Sequence, residues 1–438
     1  MKKGIAIIGA CVLALATHAQ QSIQKCATVD VVNHWEAQSP GYKQRVADAF
    51  NATKQMAEAN KASRAADDTI YVVQCVVHVV YTSASENIPD SVIHSQIRVL
   101  NEDYRRLNAD TVRTRQVFAD IVGDSKIQFE LAAVDPNGNP TTGITRAQGN
   151  PTGFLGFTPF QDEVKTAATG GVDAWPTDRY LNIWVCNIMN GFGILGYAFP
   201  PTGAVNWPAG SETDSIHQGV VLHFPVVGDN FSAPIDATVT KGRSAVHEIG
   251  HFLGLRHIWG DGDCTEDDGL EDTPDAIDAN QQTCDTTLNT CSETGGIEYP
   301  DMIENYMDYS DDRCLNAFTH DQIAIMRGTL QTSRYGIARR INYADSVTTS
   351  IAVTGSNTFD VKVYPVPATS VVNYDIQMPA GMQYTVQVLN MLGETVFSAP
   401  SSMIKNGMID LSNNAAGSYF VKFDLGTETR IKRLQIIR

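Results

Sequence analysis

His247-Glu248-Ile249-Gly250-His251-Phe252-Leu253-Gly254-Leu255-Arg256-His257 is the stretch on which the reading of this 438-residue chain turns. On a helix, residues four apart share a face, so His247 and His251 can point at one metal ion. Glu248 lies on a neighbouring flank, where a carboxylate reaches a metal-bound water without being a ligand. Gly254 can take a left-handed backbone and stop the helix. The chain can then turn so that His257 supplies a third ligand. Three imidazoles with one position open is the arrangement of a catalytic zinc site, because a structural site is closed by a fourth protein ligand. Zinc acidifies the water it binds, and Glu248 is placed to take the proton as general base. The competing reading is a string of surface histidines, but five fixed positions rarely coincide by accident.

The surroundings of this stretch carry most of the charge. The chain holds 32 Lys+Arg against 49 Asp+Glu, a formal net charge of −17. Residues 258–312 contain no Lys or Arg and 17 acids, as many as the whole net excess. So acidic a chain is a poor partner for nucleic acid or an anionic membrane face. Asp261, Asp263, Glu266, Asp267, Asp268, Glu271 and Asp272 repel one another unless a cation neutralises them. Carboxylate and carbonyl oxygens suit calcium; a solvated acidic face is the plainer alternative. Cys264, Cys284, Cys291 and Cys314 share this region. No C-x2-C pair is present, which argues against a four-cysteine zinc site and for disulfides. Four cysteines leave three connectivities open. A content of 43% apolar and 18% charged residues excludes a disordered or collagen-like chain.

Residues 20–64 are polar and helical in character over 42–62, with no strand signal. The β-branched run at 69–81 predicts a buried strand. Residues 90–108 predict an amphipathic helix with Val92, Ile97, Val99, Leu100 and Tyr104 as its apolar residues. Further strands are expected at 127–134, 180–187 and 219–224, with a turn cluster at 135–140. Thr319 and Gln322 fit a capping box that opens a helix. After a loose stretch at 345–357 come short alternating strands at 359–363, 370–377, 384–390, 395–398, 418–424 and 430–437, a small all-β module. Residues 1–19 read as an export signal: Lys2 and Lys3, an apolar run over 4–16, then Thr17-His18-Ala19 as a cleavage site. No later segment approaches ~18 uninterrupted apolar residues, so no transmembrane helix is expected. Losing the signal removes Cys11 and leaves an odd number of cysteines in an exported chain. Cys75 and Cys186 fall in predicted strands as buried thiols, which leaves Cys26.

Downstream, Asn305-Tyr306-Met307-Asp308-Tyr309 places a methionine between tyrosines. After an extended zinc motif it resembles the Met-turn of the metzincin clan, whose methionine underlies the histidines. The fuller resemblance is to the pappalysin family, especially its small bacterial members, over residues 72–326. It rests on Val77-His78-Val79-Val80, on residues 100–108 (LNEDYRRLN) and 135–140 (DPNGNP), and on Gly143-Ile144-Thr145-Arg146. Residues 181–186 (LNIWVC) and 219–223 (GVVLH), Asp272-Thr273-Pro274, residues 305–310, Cys314 and Phe318-Thr319 complete it. The resemblance implies an α+β metzincin catalytic domain: a twisted mixed sheet, the zinc-motif helix and a lower subdomain holding the Met-turn. It implies a zinc-dependent endopeptidase with Tyr309 steadying the tetrahedral intermediate. Gly193, Ile194, Leu195, Gly196 and Tyr197 would be the edge strand that binds an extended peptide. It also implies disulfides Cys264–Cys291 and Cys284–Cys314, and calcium around Asp267, Asp272 and Thr273. The small bacterial members prefer Arg or Lys just after the scissile bond, and Asp308, Asp311 and Asp312 could form the acidic floor of such a pocket. The remaining histidines, His34, His78, His94, His217, His223 and His320, read as structural or surface groups.

The last module resembles the C-terminal sorting domain of type IX secretion in Gram-negative bacteria. It carries Val363-Tyr364-Pro365-Val366-Pro367-Ala368, residues 389–394 (LNMLGE) and Gly417-Ser418-Tyr419-Phe420-Val421. Pro365-Val366-Pro367 departs from the usual Pro-Asn-Pro, and a carbohydrate-binding or adhesion sandwich is the alternative. The expected organisation is signal peptide 1–19, pro-segment 20–63, catalytic domain 64–340, linker 341–358 and sorting domain 359–438. Such a chain crosses the periplasm to a secreted or cell-surface location, with the type IX machinery and protein substrates as partners. Cys26, in the polar pre-catalytic segment and outside any predicted strand, is either an idle thiol or a latency ligand for the open zinc position. Ser63-Arg64 offers a basic residue just after a cut that would release the segment. A surface adhesin on a silenced protease scaffold is the rival function, but silenced scaffolds lose the base or a ligand, and here all are present.

Overall fold

The computed structural model describes residues 24–59, 68–149, 163–188, 194–202, 217–229, 235–281, 283–292, 299–341 and, with short gaps, 360–436. The proposed signal peptide, Ser63-Arg64, Gly193 and nearly all of the linker lie outside the described residues. The chain divides into two units, residues 1–341 and 342–438.

The first unit is built around β1 (Ile70–Tyr81), a valine-rich run buried along most of its length. Strands β2 (Ile127–Leu131), β3 (Ile144–Gln148) and β4 (Leu181–Cys186) pair with β1 in parallel, and β7 (Ala338–Ile341) pairs antiparallel. β6 (Val220–His223) continues parallel beside β4, and the short β5 (Gly196–Ala198) closes the edge antiparallel to β6. A strand covered on both faces must be apolar on both, which explains the continuous valine run. Helix α3 (Asp90–Tyr104) packs on β2 and on α4 (Arg243–Phe252), and α4 lies against β5 and β6. The predicted helix over 90–108 ends four residues early, where Arg106 adopts φ 51°. Two helices precede β1, α1 (Thr28–Gln38) and α2 (Tyr42–Ala59), where the sequence suggested only the second. No side chain caps the start of α1, so that helix carries no local start signal.

Every residue of α4 is buried. Gly254, at φ 98°, turns the chain back immediately after it, a backbone state that a side chain would strain. Arg243, 4% exposed, opens the helix. Its guanidinium bonds both carboxylate oxygens of Asp103 and of Asp110 at 2.8–3.2 Å and also donates to the carbonyl of Asp312. One buried cation thus ties α3, the turn after it and the loop beyond the histidines to the start of α4. Helix α5 (His320–Thr329) begins in a capping box in which Thr319 and Gln322 bond each other's backbone.

The second unit is all antiparallel: a four-stranded sheet β11-β10-β13-β14 and a three-stranded sheet β12-β9-β8. These strands are β8 (Asp360–Tyr364), β9 (Val371–Gln377), β10 (Tyr384–Leu389), β11 (Thr395–Ser402), β12 (Asn406–Asp410), β13 (Gly417–Asp424) and β14 (Thr429–Ile436). Val372, Tyr374, Val388, Val421 and Phe423 share a core of its own. The sequence reading passed over β12, in which only Ile409 is buried and no alternation marks a strand.

Removing one partner of a buried ion pair leaves an uncompensated charge, at a cost of about 3–5 kcal/mol. Asp110→Ala should therefore destabilise the first unit by that amount. All five tryptophans lie before residue 341, so denaturant unfolding followed by tryptophan fluorescence reports on this unit. A loss under ~1 kcal/mol would deny the network its structural role.

Candidate active site

The turn at Gly254 brings His257 back beside the helix face that carries His247 and His251. Each ring is oriented through its Nδ1. His247 bonds the Tyr306 carbonyl at 2.8 Å, His251 the Leu255 carbonyl at 2.8 Å, and His257 the Asp261 carboxylate at 2.6 Å. A carbonyl only accepts, so Nδ1 of His247 and of His251 carries the proton and Nε2 is a bare lone pair. The three Nε2 atoms then face one another, His251 lying 3.1 Å from His247 and 3.0 Å from His257. Burial, reinforced by the neighbouring imidazoles, holds His251 down to about 3 and His247 well below its usual range, so both stay neutral. Converging imidazole lone pairs repel unless a cation lies between them. The donor set, three imidazoles with supporting hydrogen bonds, suits zinc.

A fourth donor is present. Cys26, Sγ included, lies with the three histidines in a group whose ligand atoms are all within 4.8 Å, the one such group among the described residues. Cys26 is 2% exposed, although it lies outside any strand that the sequence predicts. Residues 24–28 lie in the cleft beside β5. Gln24 bridges Ile194 in parallel, Leu195 N donates to the Gln24 carbonyl at 3.2 Å, and Ala27 N donates to the Gly196 carbonyl at 3.0 Å. Tertiary pairing, invisible in a polar segment, buries the thiol.

Glu248 is fully buried. Its Oε2 accepts from the Cys26 thiol at 3.3 Å and from Thr28 Oγ1 at 3.1 Å, while Oε1 has no hydrogen-bond partner. Burial lifts this carboxyl to about 8, against the pull of those two hydrogen bonds. Tyr309 donates its hydroxyl to the Cys26 carbonyl at 3.3 Å, with its ring 5.6 Å from His247. Trp259 stacks on His257 at 4.2 Å. Met307 is fully buried beneath the helix. A Cβ on Gly250 would stand 2.5 Å from its Sδ, so only glycine lets the two elements approach so closely.

The acidic loop resolves into distinct roles. Lys25, beside Cys26, points its ammonium to the Ser310 carbonyl and to Asp312 Oδ1 at 3.5 Å. Asp311 is engaged by Arg313, and Asp308 accepts from Asn280 N and the Ser310 hydroxyl. Disulfides join Cys264 to Cys291 and Cys284 to Cys314, while Cys75 and Cys186 are buried free thiols. Asp267 caps Gly269 N, Asp272 Oδ2 accepts from Asp321 N, and the Thr273 hydroxyl bonds the buried Asp268. Lys25 and Thr28 escaped the sequence reading; their adjacency to Cys26 was the available signal.

A sheet with a buried histidine helix and a methionine turn defines a metalloendopeptidase of the metzincin class. Residues 167–331 match the family described as pregnancy-associated plasma protein-A, and residues 362–437 match the secretion system C-terminal sorting domain. Mature mirolysin of Tannerella forsythia, solved with a cleaved peptide, is 42% identical over 61% of this chain and 95% of its own, with a TM-score of 0.54. A promirolysin variant from the same organism is 38% identical over 72% and 97%, with a TM-score of 0.60. An extracellular metalloprotease of Pyricularia oryzae is 29% identical over 70% of this chain and 92% of its own. The chain belongs to the pappalysin family and is a secreted or cell-surface metalloprotease with a sorting domain of type IX secretion. No helix among the described residues is long and apolar enough to cross a membrane.

If the lone pairs converge on zinc, the full chain should bind about one zinc, and His251→Ala close to none, since a two-histidine remnant loses most affinity. Chelation should lower the thermal midpoint of the first unit and zinc should restore it. Metal analysis and a thermal scan check both. An unchanged midpoint after the metal is stripped would contradict the fit.

Proposed function

We propose that this chain is a zymogen of a zinc-dependent endopeptidase that cuts ahead of basic residues. His247, His251 and His257 hold the metal, Glu248 is the general base, and Tyr309 steadies the charge that develops on the attacked carbonyl. The observation that carries the reading is the convergence of three imidazole lone pairs beside one buried carboxylate. When bound, zinc supplies Lewis-acid polarisation and acidifies a water molecule. Once residues 24–28 leave the cleft, Glu248 would take a proton from a water molecule and pass it to the leaving amine. Met307 supports the histidines from below. The backbone of residues 193–197 binds an extended substrate by strand addition.

Asp312 is the acid that selects Arg or Lys after the scissile bond. The support is Lys25, a basic side chain of the chain itself, which already points at it. Asp312 Oδ2 accepts from Lys241 N, and the Lys25 ammonium approaches Oδ1, whereas Asp311 is paired with Arg313 and Asp308 accepts from Asn280 N. Cys26 is the latency ligand, with Thr28 and Cys26 together occupying Glu248. Residues 1–19 leave as the export signal, and residues 20–63 are a pro-segment removed by cleavage near Ser63–Arg64. Residues 64–340 form the catalytic domain, joined through 341–358 to the sorting domain at 359–438. Calcium near Asp267, Asp272 and Thr273 would relieve the crowded acids. Asp272 brings a buried Oδ1 without a partner, and carbonyls would complete the shell.

Glu248→Ala should keep its zinc and its fold while hydrolysis drops by about 10^4-fold or more, since water activation and proton transfer go together. Normal turnover with metal content verified would sink the mechanism. Asp312→Asn should cut kcat/KM for peptides with Arg or Lys after the bond by about 10–100-fold, the worth of one buried charged contact. Cleavage-site profiling of a digested proteome reads this directly, and unchanged basic preference would reassign the pocket.

Cys26→Ala should mature faster than the wild type. Glu248→Ala should stay uncut alone yet be cut when traces of active enzyme are added, because residues 24–28 fill the cleft of their own molecule. Gel analysis over time checks this; equal rates for all three chains would refute both latency and self-processing.

A further inference from the structure

The segment before β1 makes further contacts besides those of residues 24–28. Helix α2 packs on α5 and reaches the acidic loop. Phe50, 6% exposed, lies against Gly269, with the Arg256 guanidinium 4.0 Å from its ring centre. Lys54 Nζ donates to the Gly269 carbonyl at 2.7 Å. Thr53 and Met56 close over Gly328 so tightly that a Cβ there would meet Thr53 Cγ2 at 2.7 Å and Met56 Cε at 3.2 Å. None of these groups belongs to the metal cluster, the basic pocket or the edge strand. The segment therefore grips the catalytic unit at two places, a short extended stretch in the cleft and helix α2 against Gly269 and Gly328.

We infer that the face formed by Arg256, Gly269 and Gly328 is an interaction surface in its own right. Its occupant after processing is α2 of the excised segment, bound in trans. The inference rests on the reading of residues 20–63 as a pro-segment. Cleavage near Ser63–Arg64 adds water across one peptide bond and touches none of these contacts. The cut only makes the association bimolecular, so the effective concentration supplied by the linkage, on the order of millimolar, is lost. Residues 24–28 and α2 then act as two linked sites, each raising the occupancy of the other. The aromatic seat of Phe50, beside a cation and a close-packed glycine, has the character of an interface hot spot. Activation thus has two steps, the cut and the release, and the second depends on dilution or on further cuts inside the segment.

The test follows the full chain through its own processing, with the 63–64 cut read by mass and hydrolysis read on a short peptide. At ~10 μM, a concentration that keeps a micromolar complex together, activity should trail the cut. The excised segment should co-elute with the catalytic unit, and dilution by about 100-fold should raise specific activity without further cleavage. Phe50→Ala should weaken retention about tenfold or more and shorten the lag, and Lys54→Ala should do so less. The dilution experiment needs no variant, so a misfolded mutant cannot obscure the outcome. Activity that rises in step with the cut at every concentration, with the segment eluting alone, overturns the inference and leaves latency standing. A retained segment that is indifferent to Phe50→Ala overturns the outlying anchor. A fully active uncut precursor instead overturns the pro-segment reading itself.

Discussion

Three imidazole lone pairs facing one another at about hydrogen-bond distance is an arrangement that folding does not favour by itself. The rest of the first unit supplies the force that holds it. Each Nδ1 is tethered by a different part of the chain: the methionine turn through the Tyr306 carbonyl, the Gly254 turn through the Leu255 carbonyl, and the acidic loop through Asp261. Asp261 reaches His257 from a left-handed backbone, φ 60°, uncommon for a residue other than glycine. Such strain persists only where the surroundings over-determine it. Here they do, since Trp259 stacks on the same ring at 4.2 Å and Gly260 N bonds the His257 carbonyl.

Arg243 extends that order to the opposite end of the helix. Its donors reach Asp103, Asp110 and the Asp312 carbonyl, while the backbone N–H of Lys241 holds the Asp312 carboxylate. The loop bearing the proposed specificity acid is therefore registered to the same helix that presents the histidines. The histidine cluster and the loop that carries Asp312 are thus held to one helix, an arrangement that keeps relative positions within the tolerance chemistry needs.

The cleft holds its own chain in the way an edge strand holds any extended peptide, by backbone bonds with side chains seated in pockets. Lys25 reaches Asp312, Cys26 faces the histidines, and Thr28 donates to Glu248 while its hydroxyl also accepts from Ala198 N at 2.9 Å. The groups that the proposed chemistry would use are those that the preceding segment occupies. The C-terminal unit stands apart in its energetics. Its core is built from its own strands, as suits a domain that serves as an address.

The zinc helix, β1, the capped helix after Thr319 and the alternating C-terminal strands were legible in the sequence. Each is specified locally, by spacing four residues apart, by a β-branched run, by a capping pair or by period-two alternation. The approximate ends were not, because loop residues such as Leu107 and Val134 are apolar yet exposed. Helix α1 was missed for want of a capping side chain, and β12 for want of alternation. Glu248, the histidines and Met307 could be named from motif and resemblance, since their chemistry demands those residue types at those intervals. Which of three neighbouring aspartates meets Lys25 could not, because that contact joins residues far apart in the chain while Arg313, Asn280 and Ser310 engage the other two. The burial of Cys26 likewise came only from tertiary structure. A polar segment has no local reason to enter a core, and only pairing with β5, far along the chain, put its thiol among the histidines.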